Sequence, residues 1–352
     1  MKQMLKYFYR YFLGLSVWQK NKRYLSQVSG KPTKSVYIEL SENKFERYLY
    51  LFIKFFLLEG YTVYIKKNYR FLGDFDVYPK LLFKEKNLVF TNFPATNATL
   101  KFSDCSKSGY VQLGYDYFNK NKEDSFFYVP MALHPNLYFH KYWNTTVALE
   151  AKRLNSLFFA GNFDAQQYHQ IEDMGKFKVA SRLQLIDQLR ESNLAAFPKT
   201  AEEFRAAMQQ FAVIIVDTKY FGIEAKELRP CLAQFNFFLA CPGISMPFSH
   251  NIIEAMSCGT IPVIEREYAQ LFSPPLKHLY NAIIFENAAA LNKTVELAIL
   301  LESELVSTIR KNVVQYYSNY LSPQKVVESL ANKKPNRVMV LAEAHSVRLM
   351  KN

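Results

Sequence analysis

The segment that most restricts what this chain can fold into is residues 237–285, FFLACPGISMPFSHNIIEAMSCGTIPVIEREYAQLFSPPLKHLYNAIIF. An apolar run ends at Cys241, a loop with Pro242, Gly243 and Pro247 follows, and Ser249 opens a helical stretch that holds Glu254. Ser249 has the side chain of an N-cap, Gly259 suits a helix end, and TIPVI reads directly as the next buried strand. Two strands joined through a helix pair in parallel, because the connection is too long for a hairpin. The crossover exposes backbone N–H groups at a helix start beyond the carboxyl end of a strand, where a diphosphate binds favourably. Glu254, one turn inside the helix, is placed to hold the ribose hydroxyls of the same nucleotide.

The same alternation runs through the chain. VYIEL (36–40), a helical run from Lys44 to Glu59, a stop at Gly60 and the strand YTVYIKK form a βαβ beginning. NLVFTN, GYVQLGYDYF and SFFYVPMAL supply further strands before a connection over 134–150. A second series starts with SLFFAGNFD (156–164) and continues through the strands AVIIVDT, FNFFLACPG, TIPVIE and NAIIFEN into a helical region over 288–331. The expected organisation is a basic amphipathic segment over 1–28, an α/β domain over 29–150, a second over 151–331, and a tail over 332–352 that forms a last helix. The 352 residues accommodate two such domains, and 49% apolar content with only 11 glycines excludes a disordered or collagen-like chain.

At this point the resemblance becomes specific. SHNIIEAMSCGTIPVIEREYAQLFSPPL resembles the nucleotide-sugar-binding segment of GT-B glycosyltransferases, and RPCLAQFNFFLACPG before it is similar to their exostosin-like branch. LFFAGNFD resembles the first strand and turn of the same domain; over 1–150 only the architecture agrees. The resemblance implies two facing Rossmann-like domains with a cleft between them, the donor on the second and the acceptor on the first. It assigns Glu254 to the donor's ribose or sugar, and Gly243, Ser249, His250 and Asn251 to the phosphate-facing start of the helix. Met246 stands where many retaining members carry a second Glu, and the resemblance therefore leans towards inversion.

The implied activity is transfer of a sugar from a nucleotide-sugar donor to a hydroxyl of a glycan or lipid-linked oligosaccharide in surface polysaccharide biosynthesis. The alternative is a non-catalytic nucleotide-sugar or glycan-binding partner in a biosynthetic complex. Arg182 and Arg229, with Lys226 a weaker third, are candidates to meet the leaving diphosphate, or else ordinary charged residues. An inverting transfer also needs a base for the acceptor hydroxyl. The candidates are Glu42 after VYIEL, Asp74 and Asp76 in GDFD, and His134 after VPMAL. Asp74-Phe75-Asp76 has the form of a DxD triplet but lies far from the nucleotide segment, and the six histidines lack ligand spacing, so neither a metal nor any other cofactor is expected.

The net charge of +13 is concentrated at the start of the chain, where eight Lys and Arg precede the first acid, Glu39. Met4, Phe8, Tyr11, Leu15 and Trp18 recur at helical spacing beside Lys2, Lys6 and Arg10. Lys6 and Arg10 interrupt the run too early for a membrane span. An interfacial helix on an anionic membrane through residues 1–25, a helix packed on the body, and a dimer contact all fit the pattern. The expected location is cytoplasmic, peripheral on the inner face of the membrane. Nucleic acid is not an expected partner, since no recognised binding module occurs. Cys105, Cys231, Cys241 and Cys258 form no CxxC pair and suit buried thiols, and the glycosylation-like triplets at Asn97, Asn144 and Asn292 arise readily by chance.

Overall fold

The alternation of β-branched and aromatic runs with amphipathic helices produces two parallel sheets, in the order β3-β2-β1-β4-β5-β13-β6 and β12-β11-β10-β7-β9-β8. The structure, a computed structural model, describes residues 2–25, 32–94, 98–119, 125–166 and 176–350, except the side chains of Lys2 and Gln3. The Asn97 triplet, His169 and the turn at 29–31 lie outside the described residues. The first strands are β1 (Ser35–Glu39), β2 (Thr62–Lys66), β3 (Leu88–Thr91), β4 (Leu100–Ser103), β5 (Val111–Gly114) and β6 (Phe126–Tyr128). The second series is β7 (Leu154–Gly161), β8 (Ala195–Ala196), β9 (Val213–Asp217), β10 (Phe235–Leu239), β11 (Ile261–Glu265) and β12 (Ile283–Phe285). A last strand, β13 (Arg337–Met339), pairs between β5 and β6. The fold class is therefore α/β with two sheet domains.

The chain divides into two compact units, 1–130 with 323–352, and 131–322. The sequence reading sets its boundaries at 150 and 331, whereas the helix Pro323–Lys333 packs on the helix Arg47–Leu58 of the first unit. The tail is also more than a helix, because Val338 registers with Leu113 on one side and Phe127 on the other. With Arg337 in a run of only three residues, this strand lacks the uninterrupted apolar run that announces one. β4, which pairs with β1 at the centre of the first sheet, escapes the sequence reading for the same reason.

In the first unit Lys54 is buried in the middle of its helix and meets both oxygens of Glu85 at 2.7 and 2.8 Å, with the Tyr50 hydroxyl donating to the same carboxylate. The helix Lys2–Asn21 lies against the short helix Tyr69–Gly73. Gly14 and Gly73 make this approach possible: a Cβ on either would sit 1.6 Å from Tyr69 O or 2.1 Å from Arg10 O. Arg10 forks onto the Asp74 carboxylate, Tyr11 meets Tyr69 edge-on, and Trp18 packs on Phe90 and Phe83.

The expected stripe of Met4, Phe8, Tyr11, Leu15 and Trp18 is therefore divided. The helix rests on the body through the side of Arg10 and Gly14; at about 100° per residue the row is centred roughly 80° around the helix from Gly14, so only its inner edge is covered. Tyr11 and Trp18 face the body, while Met4, Leu5, Tyr9 and Phe12 are 62–65% exposed and Phe8 48%. No helix among the described residues is long and apolar enough to cross a membrane.

In the second unit Phe158 stacks on Phe235 with ring centroids 4.6 Å apart; β10 and β11 are buried throughout, and β7 from Ser156 to Phe159. Cys231, Cys241 and Cys258 are buried, and Cys105 is exposed.

Candidate functional site

Within the second unit, β7 pairs with β10 on one side and β9 on the other, so the chain reverses its direction of winding between β7 and β10. In open parallel sheets the ligand crevice lies at the carboxyl ends of the two strands flanking that reversal. Here those ends carry Gly161 and Asn162 after β7, and the loop from Cys241 to Ser249 after β10.

Arg182 joins the two ends. Ser181 and Gln184 form a reciprocal capping box that starts the helix Arg182–Arg190. Nη1 of Arg182 donates to Asn162 O at 2.9 Å and Nη2 to Pro242 O at 3.0 Å, while its guanidinium lies 5.2 Å from the Phe159 ring centre. Arg182 is only 6% exposed. It fixes the two loops and uses up backbone acceptors at the reversal. The Gly243 N–H closes the second loop onto Pro247 O at 3.1 Å, and a Cβ there would approach Met246 O and Phe248 O at 2.8 Å.

The helix His250–Ser257 starts directly after this loop. Ser249 occupies the N-cap position, yet its side chain makes no capping bond and donates instead to Asn251 Oδ1 at 2.5 Å. The Ser249 N–H is taken by the Tyr268 hydroxyl at 3.2 Å. The first-turn amides of this helix thus receive no side-chain cap, unlike those of Arg182–Arg190 and Ala201–Gln210. Together with the helix dipole they favour an anion at this point.

His250 and Glu254, one turn apart on one helix face, grip the segment at 132–134. His250 Nδ1 donates to Ala132 O at 2.8 Å, and Glu254 Oε1 accepts the His134 N–H at 2.9 Å. Glu254 is 4% exposed, and burial pushes its carboxyl up to about 7 against the lowering effects of the His134 amide and Arg229. His134, sought in the sequence as a base on the first domain, belongs to the second unit. Its ring lies edge-on to His250 with centroids 5.3 Å apart, and its Nδ1 accepts the Asn136 amide at 3.3 Å as the cap of the helix Pro135–Phe139.

Arg229 stands elsewhere. It lies within the helix Ala225–Leu232 rather than just before a strand, and donates to Ser257 Oγ at 2.6 Å and Thr145 O at 3.2 Å. Ser257 is the last residue of the helix whose amides start at His250, roughly 10 Å away at 1.5 Å per residue. Arg229 is a buried brace at the carboxyl end of that helix, and Lys226 pairs with Glu224 on the surface.

The other base candidates lie in the first unit, at the carboxyl edge of its sheet. Asp74 is held by Arg10 and by the Asn43 N–H at 3.1 Å, Glu42 lies within 3.6 Å of Lys44 and Arg70, and Asp76 is exposed. Sequence reasoning missed Glu46, Asn43 and Asp104. Glu46 has φ 51°, and burial with the Glu343 and Asp76 charges raises its carboxyl to about 7. Asn43 is buried, and neither atom of its side-chain amide has a hydrogen-bond partner among the described residues. Asp104 Oδ2 gathers the Ser41 N–H and hydroxyl at 2.8 and 2.6 Å and the Glu42 N–H at 3.3 Å. Only the acid-rich composition of these strand ends hints at them. Among the described residues no group of three or more His, Cys, Asp or Glu is arranged to hold a metal ion.

No protein-family model matches the chain. No curated protein matches it either. Solved structures with a similar course include Anabaena HepE in complex with UDP, 12% identical over 86% of this chain and 99% of that one, with a TM-score of 0.45. A glycosyltransferase from Rickettsia africae is 11% identical over 86% and 99% of the two chains, with a TM-score of 0.46. WaaG, a glycosyltransferase involved in lipopolysaccharide biosynthesis, is 11% identical over 85% and 98%, with a TM-score of 0.35.

Proposed function

We propose that this protein is a GT-B glycosyltransferase that moves a sugar from a nucleotide-sugar donor to a hydroxyl of a glycan or lipid-linked acceptor. The observation that carries the reading is the helix His250–Ser257. It opens beyond β10 at the winding reversal, its first amides have no side-chain cap, and Arg182 has already taken the neighbouring carbonyls. An anion at this place meets the positive end of the helix dipole. In this reading the donor's diphosphate lies on the amides of His250 and Asn251, with Gly243 and Ser249 shaping the loop beside it. Glu254 keeps one oxygen on the His134 amide and offers the other to the ribose.

The reaction in this reading is displacement at the anomeric carbon: the acceptor oxygen forms the new bond, the diphosphate leaves with the bonding pair, and a carboxylate takes the hydroxyl proton. Helix amides in place of a metal ion carry the leaving charge, and the buried Met246 supplies no carboxylate for a double displacement. Glu46 suits the role of base better than Glu42, Asp74, Asp76 or His134, because a carboxyl near 7 takes a proton most effectively at neutral pH. The exposed aromatic face of Lys2–Asn21, flanked by Lys6 and Lys20, would seat the enzyme on an anionic membrane beside a lipid-borne acceptor. The engagement of Asp74 and His134 in structural bonds favours the second reading, a nucleotide-sugar-binding partner without turnover.

The test is a thermal-shift series with UDP, GDP, CMP and dTDP and their sugar conjugates, on the wild type and on Glu254→Gln, followed by a donor-consumption assay. One nucleotide class should raise the melting temperature, less so in the variant, because a ligand bound only by the folded chain stabilises it. A response without turnover in the presence of glycan acceptors selects the second reading. No response to any nucleotide overturns both.

A further inference from the structure

A second anion-recognising feature lies at the opposite edge of the second unit's sheet. Arg153 immediately precedes β7 and Gly259 precedes β11, so both stand at the amino ends of the strands. They line a cavity of about 310 Å³ together with Leu149, Glu150, Arg310 and Lys311, the last two from the helix Ser303–Tyr316.

Its charge is one-sided. Two guanidiniums and an ammonium face a single carboxylate, Glu150, which is exposed and forms no ion pair with them among the described residues. Arg153 is only 7% exposed. Its Nη2 donates to Cys258 O at 2.7 Å, at the carboxyl end of the helix His250–Ser257, and its Nη1 to Thr260 Oγ1 at 3.3 Å. The Nε atoms of Arg153 and Arg310 are buried, and neither has a hydrogen-bond partner among the described residues. A buried donor on a cation is costly to leave unmatched. The two arginines also repel each other: burial and the Arg310 charge bring Arg153 down to about 10, and burial lowers Arg310, each against the opposing effect of the Glu150 charge. Both remain charged at neutral pH.

Leu149 and Val314 add apolar surface to the lining, Val314 one turn after Arg310 on the same helix. Gly259, with φ +73°, keeps the floor open, since a Cβ would meet Val314 Cγ2 at 2.9 Å.

We propose that this cavity is a binding site for a phosphate group, separate from the nucleotide site and independent of it. The Arg310 guanidinium and the Lys311 ammonium supply donors for the oxygens of a tetrahedral oxyanion, Arg153, its fork held by Cys258 O, Thr260 Oγ1 and Phe235 O, adds its charge, and Ser307 and Gln315 supply neutral hydrogen-bonding groups. Free phosphate satisfies the charges alone; a small organic phosphomonoester also covers Leu149 and Val314.

The experiment is titration of the full chain with inorganic phosphate and, separately, with glycerol 3-phosphate, followed by isothermal calorimetry against chloride at matched ionic strength. Wild type, Arg310→Gln and Ser307→Glu are compared. Phosphate binding is expected in the wild type and weaker by roughly tenfold or more in Arg310→Gln, the loss of one charge-assisted contact. Ser307→Glu, which places a carboxylate among the cations, should abolish binding and raise the melting temperature without added anion. Tighter binding of glycerol 3-phosphate identifies an organic ligand, and equal binding identifies free phosphate. Absence of binding in the wild type, or unchanged binding in both folded variants, overturns the proposal. The nucleotide response of Arg310→Gln should match the wild type, so failure here and failure of the nucleotide reading are separable.

Discussion

The carboxyl edges of the two sheets are built on the same plan and carry opposite polarity. Each sheet reverses its winding between two central strands, β1 and β4 in the first and β7 and β10 in the second, and in each a single charged side chain ties the loops together. In the first the tie is Asp104, which consumes the N–H groups of Ser41 and Glu42, while Asp74 takes that of Asn43. In the second the tie is Arg182, which consumes the carbonyls of Asn162 and Pro242. An acidic tie removes donors and leaves a place unsuited to a diphosphate; a basic tie removes acceptors and leaves the helix amides to an anion. In the proposed function this difference favours the second unit for the nucleotide.

The strongest way to break this comparison is to remove each tie. Arg182→Ala leaves the buried Pro242 carbonyl and the half-buried Asn162 carbonyl unmatched and should cost about 2–4 kcal/mol, and it should erase the nucleotide-induced thermal shift. Asp104→Ala should cost about 1–3 kcal/mol, because its partners are only partly buried, and should leave that shift in place. If the two variants lose the nucleotide response equally, the polarity argument fails.

A smaller effect separates the buried carboxyl of the second unit from its surroundings. Glu254 titrates near 7 in the folded chain and near its ordinary 4.5 when unfolded. Protonation therefore favours the folded state, and this contribution is complete below pH 4.5 and lost as pH rises through 7, at about 1.4 kcal/mol per unit between. Glu254→Gln, neutral throughout, should gain on the wild type between pH 5 and 8 by up to about 3 kcal/mol. Denaturant melts at both pH values measure it, and a constant difference would show that Glu254 does not titrate in this range. Glu46 titrates alike in both proteins and cancels.

The smallest expected change in stability concerns the helix Lys2–Asn21, a feature only the first unit has. Leu5→Glu with Phe12→Glu alters only exposed positions and should shift stability by less than about 0.5 kcal/mol. The same pair should lower sedimentation with anionic vesicles several-fold and leave nucleotide binding unchanged. Unaltered vesicle binding would remove the membrane from the reading.

What could be read in the linear chain was what local chemistry dictates. The helix His250–Ser257 and its flanking strands were legible because apolar runs, Ser249 and Gly259 occur at spacings that only a crossover satisfies. The amphipathic N-terminal helix was legible as a helix, but not which face was used, since that depends on the two glycines that let it touch Tyr69–Gly73. β4 and β13 were missed because LKFS and RVM each hold a charged residue in a run of four or three, whereas the equally short FFY and IIF of β6 and β12 are uninterrupted apolar runs.

The sequence by itself determined the α/β class, the alternation of strands and helices, the helix start after β10 and the basic start of the chain. Each follows from the order of apolar, capping and charged residues within a few turns. The tertiary structure alone decided that Arg182 is a tie and Arg229 a brace, that His134 shares a clamp with Glu254, that Asp74 is bound by Arg10, and that Arg153 and Arg310 meet behind the sheet. These pairs are separated by tens of residues or more, and a charged side chain acquires its role from the partner that burial forces on it.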